Sequence, residues 1–248
     1  MDGSVPGSQG EALARNQLGR NLTYGLLEAL GRAIVVGDYK GRPFPTEAEL
    51  ARKHDVSRSV TREAVKMLTA KGLLGARPKQ GTFVQPESHW NLFDTDVLRW
   101  LLDRRSSIEL LRQFNQLRIA VEPQAARLAA MRATPPAVAA IGDGLHRMRE
   151  AEAGRDETLD ADIAFHVAVL YASGNPFFAQ FRDVVGTALR TSIRFTNGKA
   201  GRSANIDDHA AVHKAIAAGK ADQAEQAMRS LISDVLILIE QVVADEAA

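Results

Sequence analysis

Asp162 and His166 stand four residues apart in TLDADIAFHVAVLYA, the spacing that puts two side chains on one face of a helix. A carboxylate oxygen and an imidazole nitrogen so placed can chelate a divalent transition ion. His209, in DDHAAVHKAI, offers a third donor, with His213 one turn beyond it. Ile163, Phe165, Val167, Val169 and Leu170 surround the pair with apolar side chains, so this helix is expected to be buried. A buried carboxylate is costly unless it is paired or bound to a metal. The same spacing also fits an intrahelical Asp–His hydrogen bond with a separate surface histidine, and both readings stay open.

A second constellation lies nearer the N-terminus. Arg58, Arg62 and Lys66 recur every four residues, with Ser57 and Ser59 beside the first of them. Val60, Ala64, Met67 and Leu68 lie on roughly the opposite side and can anchor the helix to a core. Guanidinium groups on such a face can bond the O6 and N7 acceptors of guanine in the major groove, and hydroxyls near the helix start suit phosphates or base edges. An ordinary solvated basic face has the same charges. The flanking sequence favours the DNA reading.

That flanking sequence supplies the elements that must hold the basic face. Leu22, Leu26, Leu30 and Ile34 form an apolar stripe at helical spacing. Thr46 precedes Glu49 by three residues, a capping box that starts a short second helix through about His54. Asp55 and Val56 turn the chain, and Ser57 is a good N-cap for a third helix ending at Gly72. Leu73 to Arg77 and Thr82 to Gln85 read as strands around Pro78-Lys79-Gln80-Gly81. This predicts a winged helix-turn-helix over 20–86. Lys79 and Gln80 occupy the wing tip, and Gly81 lets the backbone come close to a duplex.

Residues 1–19 read as a disordered polar tail without the apolar core of a secretory signal. Residues 87–94 read as a linker. From 95 to 248 the periodicity is helical throughout, with helices expected at 95–103, 107–132, 135–153, 157–173, 176–196, 205–218 and 221–245. Thr134-Pro135 and Asn175-Pro176 each place a cap before proline at the first helical position. Pro123 is expected to kink its helix. The fold class is therefore mostly α: an N-terminal winged helix-turn-helix followed by an all-helical bundle.

Composition agrees with this division. The chain has 248 residues, 45% hydrophobic and 25% charged, enough apolar content for real cores. Its 31 basic and 30 acidic residues nearly cancel. The basic excess is concentrated in residues 20–86, with 12 Lys/Arg against 6 Asp/Glu. A basic segment joined to an acidic remainder suggests one module for a polyanion and another for something else. No apolar run reaches membrane-spanning length, and the absence of cysteine excludes disulfides and fits a cytoplasmic protein.

The blocks PTEAEL, VSRSVTREAV, KGLL and GTFV resemble the DNA-binding domain of the GntR family of bacterial transcription regulators. The resemblance implies DNA contact by Ser57, Arg58, Ser59 and Arg62, with wing contacts near Lys79, Gln80 and Gly81. Ala48 departs from an arginine found in some members, and Lys79 stands where the wing often has glycine.

The blocks LRIAVEPQAARLAA, DIAFH, SGNPFF and DDHAAVHKAI resemble the FCD-type effector domain. This resemblance implies metal ligation by Asp162, His166 and His209. The usual fourth ligand, a histidine, falls at Leu231, which cannot coordinate. A zinc or nickel ion would then have waters or effector oxygens completing its shell, or the three side chains would bond effector hydroxyls directly. Arg118 matches a cavity-lining position and can clamp a carboxylate, although Glu122 at i+4 competes for it. Arg190 and Arg194 are further candidates, Arg190 the better. HWNLFDTDVLRW, with the missing fourth ligand, is similar to the branch of sugar-acid regulators.

These readings together describe a DNA-binding transcription regulator, expected to act as a repressor. A homodimer on two-fold symmetric operator DNA would be released by a small carboxylate, a sugar acid, bound in the helical domain. A short organic acid or an amino acid is the alternative effector. A metal-dependent hydrolase is the competing class, but no HExxH, GxSxG or GxxxxGK motif supports it. A non-specific nucleoid-type binder would need no pocket.

Overall fold

The computed structural model describes residues 7–78, 81–104, 107–190 and 206–247. The chain divides into two compact units, Met1–Arg104 and Arg105–Ala248. Among the described residues no helix is long and apolar enough to cross a membrane.

The first unit opens with α1 (Gly7–Val35), which begins well before residue 20. The expected tail is therefore helical from Gly7 onward. After Pro6 no proline interrupts the segment, and Ala12, Ala14, Arg15, Gln17 and Leu18 are good helix formers. The buried face of α1 carries Thr23, Leu26, Leu27, Leu30, Ile34 and Val35, while Leu22 is exposed. α2 (Glu47–His54) starts with the predicted capping box: Thr46 Oγ1 accepts from Glu49 N–H, and the Thr46 N–H donates to Glu49. Asp55 closes α2 in the left-handed region at φ 50°. Ser57 then caps α3 (Arg58–Ala70) by accepting from Val60 N–H at 3.2 Å.

β1 (Leu74–Arg77) and β2 (Gly81–Val84) pair antiparallel, with Leu74 opposite Val84 and Arg77 opposite Gly81. The next residues do not form a free linker. Asn91 N–H donates to Lys71 carbonyl, and Trp90 Nε1 donates to Gln85 carbonyl. Lys71 Nζ donates to Asp94 and Asp96. Gly72, at φ 80°, permits this return, because a Cβ there would lie 2.3 Å from the His89 carbonyl oxygen.

α4 (Thr95–Leu102) belongs to this first unit, which corrects the expected boundary at 95. Trp100 is buried and lies directly over Gly31 of α1, where any Cβ would collide with its ring. Glu28 of α1 receives hydrogen bonds from Arg99 and from Trp100 Nε1, at 2.7 to 2.9 Å. Arg32 donates to the same carboxylate. Val97, Leu98 and Leu101 are buried as well, on a helix that packs against α1.

The second unit contains α5 (Ile108–Arg132), α6 (Pro135–Glu152), α7 (Thr158–Ala172), α8 (Pro176–Gln180), α9 (182–190), α10 (Ile206–Ala217) and α11 (Ala221–Ala247). α5 packs along α11 and against α7, α6 packs along α7, and α10 touches α5, α6 and α11. The helix expected at 176–196 is broken. At Phe181 the backbone N–H bonds back to Phe178 carbonyl, a tight i−3 turn that ends α8 before α9 begins. Pro123 is buried inside α5, which continues through it to Arg132. α6 and α7 approach closely because position 144 is glycine: a Cβ there would sit 2.8 Å from the Phe165 Cα.

Candidate functional site

The basic face of α3 is laid out as the spacing implies, with a rotation of its buried side. Thr61, Ala64, Val65 and Leu68 are buried, whereas Val60 and Met67 are only half-buried. Ser57, Arg58, Ser59, Arg62 and Lys66 are all exposed. Ser57 and Ser59 hydroxyls lie 2.9 Å apart. Among the described residues the acidic neighbours of Arg62 and Lys66 are loose, Glu47 at 3.5 Å and Glu63 at 3.7 Å, and both cations are exposed. Gly81 is exposed at φ 81°, while Lys79 and Gln80 lie outside the described residues. Arg77, next to the turn, stacks over the Phe83 ring at 4.5 Å, a cation–π contact across the hairpin.

The second constellation is closed off from solvent inside the helical unit. Asp162, His166 and His209 are 5%, 3% and 2% exposed. One ligand atom from each lies within 4.8 Å of the others, a spacing that can hold a metal ion. His209 Nε2 is 3.0 Å from Asp162 Oδ1, and His166 Nε2 is 3.9 Å from the same oxygen. Phe165 sets the two rings edge-on, with centroids at 4.9 Å to His209 and 5.7 Å to His166. Burial alone would raise the Asp162 carboxyl, but the His209 hydrogen bond and nearby positive charge hold it below its ordinary value.

Arg118 is brought to this cluster from α5, and Glu122 comes with it. The Arg118 Nε donates to Glu122 Oε1 at 2.5 Å, and its Nη1 donates to Asn115 Oδ1 at 3.3 Å. The salt bridge that the i+4 spacing left open is therefore formed. Glu122 reaches further than its own helix: its Oε2 is 2.5 Å from His166 Nδ1. Burial alone would raise this carboxyl, but Arg118 and His166 bring it down to about 2. The i+4 spacing shows Glu122 only as a partner of Arg118, and nothing in the sequence marks Asn115.

Arg190 is not brought to the cluster. It is exposed and donates to Asp160 Oδ1 at 2.7 Å. Asp160 precedes Asp162 by two residues, which puts it on the other side of α7. Arg194 lies outside the described residues. Leu231 is buried on α11, and its hydrocarbon side chain offers no ligand.

Comparison with known proteins gives the same two modules. Residues 25–84 match the bacterial regulatory proteins of the gntR family, and residues 113–234 match the FCD domain. The galactonate operon transcriptional repressor of Escherichia coli (strain K12) is 35% identical over 216 residues, covering 86% of this chain and 94% of its own. The HTH-type transcriptional regulator LutR of Bacillus subtilis (strain 168) is 30% identical over 209 residues, covering 82% and 94%. Among solved structures, E. coli McbR/YncC aligns with a TM-score of 0.51 at 16% identity, covering 90% of this chain and 98% of its own. At that identity the last comparison speaks for the fold alone. The relatives are transcriptional regulators and not enzymes, and with these matches the chain belongs to the gntR family of bacterial regulatory proteins, as a DNA-binding transcription regulator carrying an FCD domain.

Proposed function

We propose that this regulator is a homodimeric, cytoplasmic repressor released from a two-fold symmetric operator by a small carboxylate, a sugar acid, bound at the buried cluster of the helical unit. The observation that carries this reading is the closed Asp162–His166–His209 cluster beside the Arg118–Glu122 pair. With both histidines neutral, Arg118, Glu122 and Asp162 carry one more negative than positive charge. A divalent ion reverses that excess, and one carboxylate then balances it. Buried charge is tolerated only when it is balanced in this way.

Asp162, His166 and His209 would hold the ion, zinc or nickel. With Leu231 supplying nothing, positions remain for water and for effector oxygens, as in metal sites that keep an open position. A bound ion would supply Lewis-acid attraction for carboxylate and hydroxyl oxygens. The Arg118 guanidinium has five N–H donors, and those not used by Glu122 and Asn115 can meet the carboxylate. Similarity to the galactonate operon repressor supports a sugar acid as the effector class. Ser57, Arg58, Ser59, Arg62 and Lys66, with Lys79, Gln80 and Gly81 at the wing, form the proposed DNA face.

Release requires that the effector bind the DNA-free state more tightly, since equal affinity shifts nothing. Fluorescence anisotropy with operator DNA tests this, using galactonate and a panel of other sugar acids and short carboxylates, each with Zn²⁺, with Ni²⁺ and after EDTA. The expected result is weaker operator binding with a sugar acid, dependent on metal. Operator affinity that no acid changes would overturn the reading.

A further inference from the structure

His166 shows its two ring nitrogens to different neighbours. Nε2 faces Asp162, while Nδ1 meets Glu122 Oε2 at 2.5 Å. A carboxylate oxygen and a bare imidazole nitrogen are both acceptors, so contact at this distance needs a proton between them. Arg118 fixes Glu122 as the carboxylate by donating from Nε to Oε1 at 2.5 Å and from Nη2 to Oε2 at 3.4 Å. The proton therefore belongs to Nδ1. Arg118 Nη2 also lies 3.3 Å from each ring nitrogen; with Nδ1 protonated only Nε2 can accept from it, which agrees with the same tautomer, and an ion at Nε2 would take over that lone pair.

We infer that Glu122 is a positioning residue for metal binding: it holds His166 as the Nδ1–H tautomer and so leaves Nε2 as the lone-pair donor aimed into the Asp162–His209 gap. This rests on the metal reading of the cluster given above. Carboxylates bonded to the outer nitrogen of a ligating histidine fix its ring and raise its basicity. Glu122 is not a substitute for the ligand missing at Leu231, because it lies behind the ring, on the nitrogen that faces away from Asp162. The brace continues along α5: Arg118 Nη1 donates to Asn115, whose Nδ2 donates to the Leu111 carbonyl at 2.9 Å. One turn of α5 after another thus supports a single nitrogen on α7.

The test uses the full chain, with Glu122→Gln, Glu122→Leu, Asp162→Ala and the double variant Arg118→Met with Glu122→Leu. The double variant removes both buried charges, so a fold lost to an unpaired Arg118 does not decide the result. Three readouts are taken: long-range ¹H–¹⁵N spectra of the metal-free protein, Zn²⁺ and Ni²⁺ affinity by chelator competition, and Co²⁺ absorption for coordination number. Wild type and Glu122→Gln, whose amide oxygen still accepts, should show His166 as Nδ1–H. Glu122→Leu and the double variant should bind either ion roughly 10–100-fold more weakly, with an unchanged Co²⁺ coordination number. Unchanged affinity in both, an Nε2–H tautomer in the wild type, or a lower coordination number would each overturn the role of Glu122. Wild type that binds neither ion overturns the metal reading and this role with it. Binding lost only in Asp162→Ala overturns the role alone.

Discussion

Arg229 on α11 donates from Nη1 to the carbonyl oxygen of Ile119 on α5, at 3.5 Å. That carbonyl stands four residues before Pro123, which has no N–H to complete the helical bond. An arginine from another helix therefore supplies the donor that the proline withholds, and α5 runs on to Arg132 as one helix. Arg229→Ala should destabilise the helical unit by about 1 kcal/mol, the usual net worth of such a bond. In a Pro123→Ala background the same change should cost less, because residue 123 then donates to Ile119. A double-mutant cycle by denaturant unfolding measures this coupling; additive effects would mean that the two positions are independent.

Close approach of α6 and α7 predicts a second effect. Gly144→Ala places a methyl group 2.8 Å from the backbone of Phe165, which is fully buried and touches both histidine rings. Overpacking of this kind costs about 1–3 kcal/mol. On the metal reading proposed above, the shift of α7 should also weaken uptake of the ion, read by thermal shift with and without Zn²⁺ or Ni²⁺.

Acid sensitivity of the first unit follows from Glu28. The hydrogen bond from Arg99 is the main cause that holds its carboxyl at about 2 against an ordinary 4.5, with Trp100 and Arg32 adding to it against partial burial. A folded value below the unfolded one means stability that is complete above pH 4.5 and is lost as pH falls towards 2. Glu28→Gln should lower the melting temperature of the DNA-binding unit at neutral pH. The difference from wild type should shrink through that acid window; a gap that stays constant with pH would argue against the ion cluster.

On α3, Arg58→Ala and Arg62→Ala should each weaken operator binding while leaving effector binding intact. If Arg62 meets a phosphate, its loss lowers the slope of log affinity against log salt by about 1. If it meets a guanine, the loss is about 1–3 kcal/mol and relaxes preference at one position. Anisotropy titrations at several salt concentrations separate the two.

Local spacing made much of this architecture legible. The capping box at Thr46, the cap at Ser57 and proline at 135 and 176 carry their own start signals, so those helices begin where the sequence puts them, although the one from Pro176 stops at Gln180. Asp162 and His166 were legible for the same reason, since four residues on a helix bring them together whatever surrounds it. Glu122 was less so: its contact with His166 spans α5 and α7, and only packing reveals it. A signal did exist. Ala125, Ala126 and Ala129 follow Glu122 at three, four and seven residues and are all buried, so a charge on that face needs a partner from another helix. On α3 apolar residue type alone defines the buried face loosely, because Thr61 and Val65 take the buried places expected of Val60 and Met67. α4 shows a different limit. Its apolar face fits any neighbour, and nothing near it in sequence announces Glu28, 72 residues away.

The seating of Trp100 on Gly31 also decides where the chain can be cut. A DNA-binding fragment ending at Pro86 would bare the side of α1 that α4 covers, and Glu28 would lose Arg99 and Trp100 at once. Exposed apolar surface of that kind promotes aggregation. A fragment carried on through Arg104 keeps its own cover, so dissection of this regulator into working halves belongs after α4 and not before it.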